Sequence, residues 1–155
     1  MVLAPMFQDG TSMWVQSVSL DGFVPELADT LDKIPPPARG FILLHHAHGR
    51  PTAPHPQPDT ALAVRERHLM IAPFTSLPRG TDTESLKDAI EWPTKFREEI
   101  LRTGAIKDHS YMSFTKPEYC NPSAVVGAHG VQRLRKLKEK YNPGNAFPNA
   151  YPNLS

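Results

Sequence analysis

Cysteine is nearly absent from this sequence, whose 155 residues contain a single one, Cys120. A single cysteine excludes an intramolecular disulfide framework and any cysteine-rich metal site. Long hydrophobic runs are also missing, since no apolar stretch approaches the ~20 residues that cross a bilayer. Residues 1–16 lack the basic start and the sustained apolar stretch of a secretory signal peptide. We therefore expect a soluble, cytoplasmic protein.

An excess of charge of one sign is lacking as well. Lys and Arg number 17, Asp and Glu number 16, and the net charge of +1 gives no reason to expect nucleic acid or a membrane surface as partner. The nine glycines are scattered singly, whereas phosphate-binding loops concentrate glycine in one turn. No Walker, EF-hand, zinc-ribbon or G-x-S-x-G pattern occurs. Proline is abundant, with 17 residues that cluster in connections and in a tail.

Hydrophobic periodicity predicts alternating strands and helices in one domain over residues 1–155, with a core at about 12–141 and a tail at 142–155. The predicted strands are 12–19, 40–48, 61–75 and 109–115, and the predicted helices are 23–34, 81–103 and 131–141. Pro73 predicts either an edge position for the third strand or the end of its pairing. Thr81 and Glu84 predict a capping box at the start of the second helix.

The first six elements follow the order β-α-β-β-α-β, which is typical of the ferredoxin-like fold. We therefore predict an α+β protein with an antiparallel sheet, helices on one face, a C-terminal helix and an extended tail. The other face of the sheet needs a cover, and we expect a second copy to supply it in a homodimer. In the last predicted strand, alternation places Tyr111 and Ser113 on that open face and Met112 and Phe114 towards the helices.

Histidine is the most concentrated chemical signal, because imidazole titrates near neutral pH and transfers protons readily. His46 and His48 lie two apart on a predicted strand and so point to the same face. Such a pair binds a metal where a third ligand, such as His68 or Asp59, comes close. Metal binding, proton transfer and simple packing on a half-buried sheet are three open alternatives. Our candidate site takes the histidines without a metal.

Tyr111 is a candidate hydrogen-bond donor to a developing oxyanion, with burial in a dimer interface as the alternative. Arg65 is a candidate for binding a carboxylate or phenolate, with an exposed, snorkelling side chain as the alternative. The candidate catalytic residues are therefore His46, His48, Tyr111 and Arg65. The candidate substrate-binding residues are His45, His68, Ser113 and Trp14.

The C-terminal stretch 131–154 resembles the R-L-x-x-L-K-x-x-Y-D-P-x-N-x-F signature that closes the berberine-bridge-enzyme-like flavoprotein oxidases. Asn142 stands where the family has aspartate, and the matching residues are Arg133, Leu134, Leu137, Lys138, Tyr141, Pro143, Asn145 and Phe147. Shorter likenesses occur in segments 46–49, 59–65, 90–97 and 111–114. Residues 12–154 thus resemble the second half of that family's substrate domain, together with its terminal motif.

The resemblance implies a substrate-binding sheet and FAD-linked oxidation as the ancestral activity. The family's flavin-binding domain has no counterpart in this sequence, so we expect no FAD or other cofactor. The function we predict is a small-molecule cyclase or isomerase of secondary metabolism, including pericyclic ring closure. It would work by preorganising the substrate with help from His and Tyr acid–base groups. The alternatives are a non-catalytic accessory or substrate-binding subunit of a separate FAD-linked oxidoreductase, or a fragment of one.

Overall fold

The computed structural model describes residues 10–49, 52–53, 63–107, 111–146 and 154. Its strands are β1 (Thr11–Val15), β2 (Val18–Leu20), β3 (Gly40–Ala47), β4 (His68–Pro78) and β5 (Ile106–Lys107). Its α-helices are α1 (Pro25–Lys33), α2 (Thr83–Arg102) and α3 (Pro122–Tyr141). No helix in these described ranges is long and apolar enough to cross a bilayer.

The sheet is antiparallel and centred on β4. β3 pairs along one side of β4, while β1 and β2 pair end to end along its other side, and β5 pairs with β2. When β1 and β2 are counted as one interrupted strand, the strand order is that of the ferredoxin-like fold. The α+β prediction is therefore confirmed, including the C-terminal helix.

The first predicted strand is interrupted at Gln16 and Ser17. β1 and β2 keep one common register against β4, and by that register Gln16 lies opposite Pro73, which has no N–H to donate. The N–H of Ser17 donates instead to the carbonyl of Phe114, at 2.6 Å. β4 is paired on both sides and beyond Pro73, so the edge position is wrong, and pairing is interrupted opposite Pro73 only between β1 and β2.

The core lies between α1, α2 and one face of the sheet. Trp92 and Phe96 of α2 contact each other with ring centroids 5.9 Å apart. A Lys33–Glu99 ion pair of 3.0 Å joins α1 to α2, and the Thr75 hydroxyl donates to the Ala89 carbonyl. The buried members of this core are Val18, Leu20, Leu27, Leu69, Ile71, Trp92, Phe96 and Ile100.

The N-cap of helix α2 lies one residue later than predicted. Asp82 is its N-cap, and the carboxylate accepts a hydrogen bond of 2.9 Å from the N–H of Ser85. This hydrogen bond lowers the pKa of Asp82. The Thr81 hydroxyl donates to the Pro78 carbonyl of the preceding turn, so the predicted capping box with Glu84 is wrong.

The predicted strand 109–115 is also wrong where the structure describes it. Residues 108–110 lie outside the described part, and Met112–Phe114 form a 3₁₀ turn. The N–H of Phe114 and the hydroxyl of Thr115 both donate to the carbonyl of Tyr111, at 2.9 and 3.0 Å. Such local bonds compete with strand pairing, so alternation does not decide where Tyr111 and Ser113 point.

Helix α3 starts at Pro122, nine residues before its predicted start at Val131. Asn121 caps it by accepting a hydrogen bond from the N–H of Ser123 at 3.0 Å. Gly127 interrupts the helix with a φ of 72°, a value that glycine adopts without steric cost. Residues 122–130, predicted as a loop, are therefore mostly helical, and of the tail only 142–146 and 154 are described.

The sheet face turned away from α1 and α2 is less open than predicted. Its central residues on β4 are Met70, Ala72, Phe74 and Ser76, each at most 6% exposed within the single chain. Phe114 packs edge-on against Phe74, with ring centroids 5.1 Å apart. The bare face expected to require a second copy is thus already buried at its centre.

Candidate functional site

A cleft of about 230 Å³ lies beside β1, opposite the side of β4 that pairs with β3. We call it the β1 cleft. One wall is β1 itself and the second is α2. The third wall is residues 113–116, from the end of the 3₁₀ turn to the two residues after it. Its lining residues are Met13, Trp14, Val15, Gln16, Ile90, Pro93, Ser113, Phe114, Thr115 and Lys116.

The interruption between β1 and β2 builds the third wall of the cleft. The fully buried Ser17 hydroxyl lies 2.6 Å from the Thr115 hydroxyl and 3.3 Å from the Tyr111 carbonyl. The side-chain oxygen of Gln16 accepts a hydrogen bond of 3.3 Å from the N–H of Lys116. Two residues released from strand pairing therefore hold residues 111–116 against the edge of β1.

The lining of the β1 cleft is mixed in a way that suits a small organic molecule. Trp14 and Ile90 are apolar residues of the lining, while Ser113 and Lys116 are polar ones. Ligand sites are typically apolar with a few polar groups that fix orientation. The cleft can therefore hold an apolar body and direct one polar group of the ligand.

Two cations meet one aromatic ring next to the cleft. The guanidinium carbon of Arg97 lies 4.5 Å from the centroid of the Tyr119 ring, and the Lys116 ammonium lies 5.9 Å from it. Arg97 is only 9% exposed, and this burial lowers the pKa of its guanidinium. The positive charge at this end of the cleft is partly desolvated, which strengthens its interactions.

Two of the predicted site residues line the β1 cleft. Trp14 and Ser113, both predicted to bind substrate, are in its walls. Tyr111 is outside the lining and 53% exposed, but its ring contacts Phe114 of the lining, with centroids 5.1 Å apart. Tyr111 is therefore connected to the cleft through the ring of Phe114.

The predicted histidines form a separate group at β3, its C-terminal end and the start of β4, which we call the histidine edge: His45, His46, His48 and His68. The His46 and His48 rings lie 5.1 Å apart, as their spacing predicted. By register His46 faces Leu69 on the helix side of the sheet, whereas His45 lies on the other face, with His68. β4 separates His45, His46 and His48 from the β1 cleft, and His68 is the first residue of β4. None of the four lines the cleft.

The remaining predicted groups do not join either site. Arg65 is half-buried in the segment before β4 and does not line the β1 cleft. Asp59, the suggested third metal ligand, lies outside the described residues. Within the described ranges, no three His, Cys, Asp or Glu side chains are grouped so that they could hold a metal ion.

Sequence reasoning missed several residues of the cleft. Ile90 and Pro93 were predicted only as parts of the helix 81–103, although both also line the cleft. Gln16 was an ordinary strand residue by alternation. A polar residue next to a serine in a predicted strand is a weak signal, and it indicates an interruption only when Pro73 is known to lie opposite it.

Comparison with known proteins places the fold but no function. No family model and no curated protein matches this sequence. Among solved structures, BBE-like 1 of Physcomitrella patens matches with a TM-score of 0.68 and 15% sequence identity, over 92% of this chain and 30% of that chain. A variant of the same protein matches with the same values. The likeness to BBE-like proteins expected from the sequence is thus confirmed for the fold, and this chain spans about a third of such a protein.

The described residues do not fit the diphosphate of FAD, the cofactor that the sequence resemblance implies for the wider family. Phosphate groups favour helix N-termini with free N–H groups and no negative charge. Helix α1 begins with Pro25 and Glu26, and α2 begins with the Asp82 cap and Glu84. The first turn of α3 has no acidic residue, but Pro122 has no N–H and the N–H of Ser123 donates to the Asn121 side chain. That this chain acts without flavin stays a prediction.

Proposed function

We propose that the protein is a flavin-independent small-molecule enzyme of the cyclase or isomerase type, with the β1 cleft as its active site. The observation that carries the proposal is the cleft itself, where apolar walls from β1 and α2 meet a few polar groups on one tied-down segment. The fold of a BBE-like protein is consistent with an origin as a substrate-binding domain.

Preorganisation is the main source of rate that this cleft offers. A flexible polyene or dienone held against Trp14 and Pro93 loses its conformational freedom on binding rather than at the transition state. Ring closure then forms one carbon–carbon bond from the substrate's own π electrons, so no oxidant or reductant is required. The Lys116 ammonium is placed to donate a hydrogen bond to a carbonyl oxygen that gains negative charge.

The predicted acid–base residues divide between the two regions. Tyr111 is the candidate nearest the cleft, through its contact with Phe114. His46, His48 and Arg65 are not in the cleft lining. We therefore propose Lys116, with Tyr111 beside it, as the polar help in this reaction, and we treat the histidine edge as a competing site.

The test is turnover of acyclic polyene and dienone precursors by purified protein, with products followed by chiral chromatography and mass spectrometry. Trp14→Ala and Lys116→Gln should each slow cyclisation by about tenfold or more. His48→Ala is the matched control and should leave the rate unchanged. Loss of turnover in His48→Ala alone, or a flavin spectrum in the active protein, would contradict the proposal.

A second candidate function is an accessory subunit that binds substrate for a separate FAD-linked oxidoreductase. The exposed outer strand β3 favours it, since Leu43 and Leu44 are 36% and 45% exposed on opposite faces. An outer strand can extend the sheet of a partner through main-chain hydrogen bonds. This reading predicts that the chain gives no turnover by itself but restores the activity of a flavoprotein partner.

We propose that the homodimer interface is formed by β3 and not by the buried face of the sheet. β3 carries no charged Lys, Arg, Asp or Glu side chain, so two antiparallel copies place no like charges opposite each other. Light scattering after size exclusion should give twice the chain mass, and Leu44→Lys should give a monomer. A wild-type monomer would contradict the dimer and favour the accessory role.

A further inference from the structure

We propose that the β1 cleft selects ligands that carry an anionic group, held at the end of the cleft where Arg97 and Lys116 share the Tyr119 ring. This inference rests on the proposed function only in requiring that the cleft binds a small molecule. It adds the class of substrate, an aromatic or polyene carboxylate or an enolate of the same shape.

Arg97 differs from the other cations of its helix. Lys95 lies 2.7 Å from a Glu91 carboxylate oxygen and Arg102 lies 2.6 Å from Glu99, while Lys87 lies 3.9 Å from Glu91. Arg97 is the most buried of the four, and no described carboxylate lies within ion-pair distance of it. Its buried Nε has no hydrogen-bond partner among the described residues.

A buried cation without a counter-ion is costly to the fold. Buried charges in proteins are normally paired, because desolvation penalises the charged form. The face of the Tyr119 ring compensates only in part, as cation–π contacts contribute modestly. The pKa of Arg97 is lowered by this burial, yet guanidinium keeps its proton in proteins. An anion from outside the chain would complete the environment of this side chain.

The position of Arg97 connects it to the cleft. Residues three and four apart lie on one side of a helix, so Arg97 follows Ile90 and Pro93 along the side of α2 that forms the cleft wall. Lys116 lines the cleft from the facing segment and approaches the same Tyr119 ring. Arg97 itself is not a lining residue, so it is connected to the cleft through Lys116 and the shared Tyr119 ring.

The chemistry of the two side chains sets the ligand class. Guanidinium presents parallel N–H donors that match the two oxygens of a carboxylate, and ammonium adds a mobile charged donor. The apolar walls formed by Trp14, Ile90 and Pro93 suit the hydrocarbon body of the same molecule. A carboxylate also activates no bond by itself, so it serves to orient the reacting chain.

The experiment compares phenylacetate, cinnamate and phenylbutyrate, each with its neutral primary amide. Binding is followed by fluorine NMR of protein labelled with fluorotryptophan, where the Trp14 signal reports the cleft. The carboxylates should bind about tenfold more tightly than their amides, as expected for hydrogen bonds to charged groups. Arg97→Gln and Lys116→Gln should each reduce this preference, and together they should remove it while amide binding persists.

The control is Arg102→Gln, which removes a cation of α2 that is already paired with Glu99 and should keep the full preference. If Arg97→Gln does not fold, Lys116→Gln carries the test, because Lys116 lies on the segment outside the core. Equal affinity for acids and amides would overturn the anion preference and leave the cleft as a ligand site. No Trp14 shift with any probe would overturn both the proposed function and this inference.

Discussion

The histidine edge and the β1 cleft lie on opposite sides of the same central strand, and they differ in almost every respect. The histidine edge is rich in titratable groups but exposed, and its members lie on both faces of β3 and β4. The β1 cleft contains no histidine, yet it is concave and is closed by three segments far apart in the chain. A sequence segment that is rich in reactive residue types is thus not by itself a functional site.

The difference follows from how each region is held. Among the strands that the structure describes, outer strand β3 pairs with β4 alone, and its residues Leu43 to His46 are exposed. The cleft wall on α2 belongs to the core, and the wall at residues 111–116 is fixed by hydrogen bonds to Gln16 and Ser17. A preorganised site requires this kind of support.

The largest expected contrast is in stability. Phe96→Ala removes a fully buried ring from beneath the cleft and should lower the free energy of unfolding by about 3–5 kcal/mol. Leu44→Ala on β3, next to the histidine edge, changes a side chain that is 45% exposed. It should lower the free energy of unfolding by about 1 kcal/mol or less. Urea unfolding followed by circular dichroism measures both. Similar losses for the two variants would mean that β3 is covered by a partner.

A second contrast concerns ligand binding. Trp14→Ala should weaken binding of an aromatic carboxylate by about tenfold to a hundredfold, since it deletes the largest apolar wall of the cleft. The double variant His46→Ala, His48→Ala should bind as the wild type does. Titration calorimetry gives both affinities. The reverse pattern would place the ligand site at the histidine edge.

A third contrast tests the tied-down segment. Ser17→Ala leaves the buried Thr115 hydroxyl and the Tyr111 carbonyl without this partner, which should cost about 1–3 kcal/mol. It should also speed amide hydrogen exchange in residues 111–116. Thr81→Ala deletes an exposed hydroxyl that bonds a carbonyl three residues away and should cost less than about 1 kcal/mol. Unchanged exchange in Ser17→Ala would show that other contacts hold the wall.

The smallest effect is electrostatic and should not distinguish the two regions. Hydrogen bonds from Lys33 and Arg102 lower the pKa of the Glu99 carboxyl. A carboxyl whose folded pKa is lowered stabilises the fold above its unfolded pKa, about 4.3, and this contribution is lost as pH falls through the lower folded value. Glu99→Gln should therefore show a weaker loss of stability between about pH 6 and pH 3. Glu98→Gln, at an exposed site, is the control and should follow the wild type.

Sequence patterns were sufficient for the order of elements and for the face that the helices cover. Leu27 belongs to the apolar face predicted for the first helix, and Phe96 and Ile100 lie four residues apart in the second. All three lie in the core. The patterns failed where a distant partner decides the outcome. Pro73 lacks an N–H donor and therefore predicted an edge strand or the end of the pairing. In the structure the strand opposite Pro73 is interrupted instead, and the N–H of Ser17 donates to the carbonyl of Phe114.

The candidate site was harder to predict than the fold for the same reason. Trp14 and Ser113 were identified, but by alternation and resemblance rather than by the cleft they share. Arg97 and Tyr119 lie 22 residues apart in sequence, and only the folded structure shows that their side chains stack. Tyr111 was expected on a strand face and lies instead at the start of a 3₁₀ turn, where local hydrogen bonds replace the ladder.

The most direct test of the β1 cleft uses the two tryptophans of the chain as internal reporters. Trp14 lines the cleft, whereas Trp92 is buried in the core with its indole N–H directed at the Ile34 carbonyl. Fluorine NMR of fluorotryptophan-labelled protein, with histidine ring signals recorded in parallel, follows both regions during one titration with an aromatic carboxylate. The account predicts a saturable shift of the Trp14 signal, with Trp92 and the four histidines of the histidine edge unmoved. Saturable shifts of those histidines with Trp14 unmoved would contradict it.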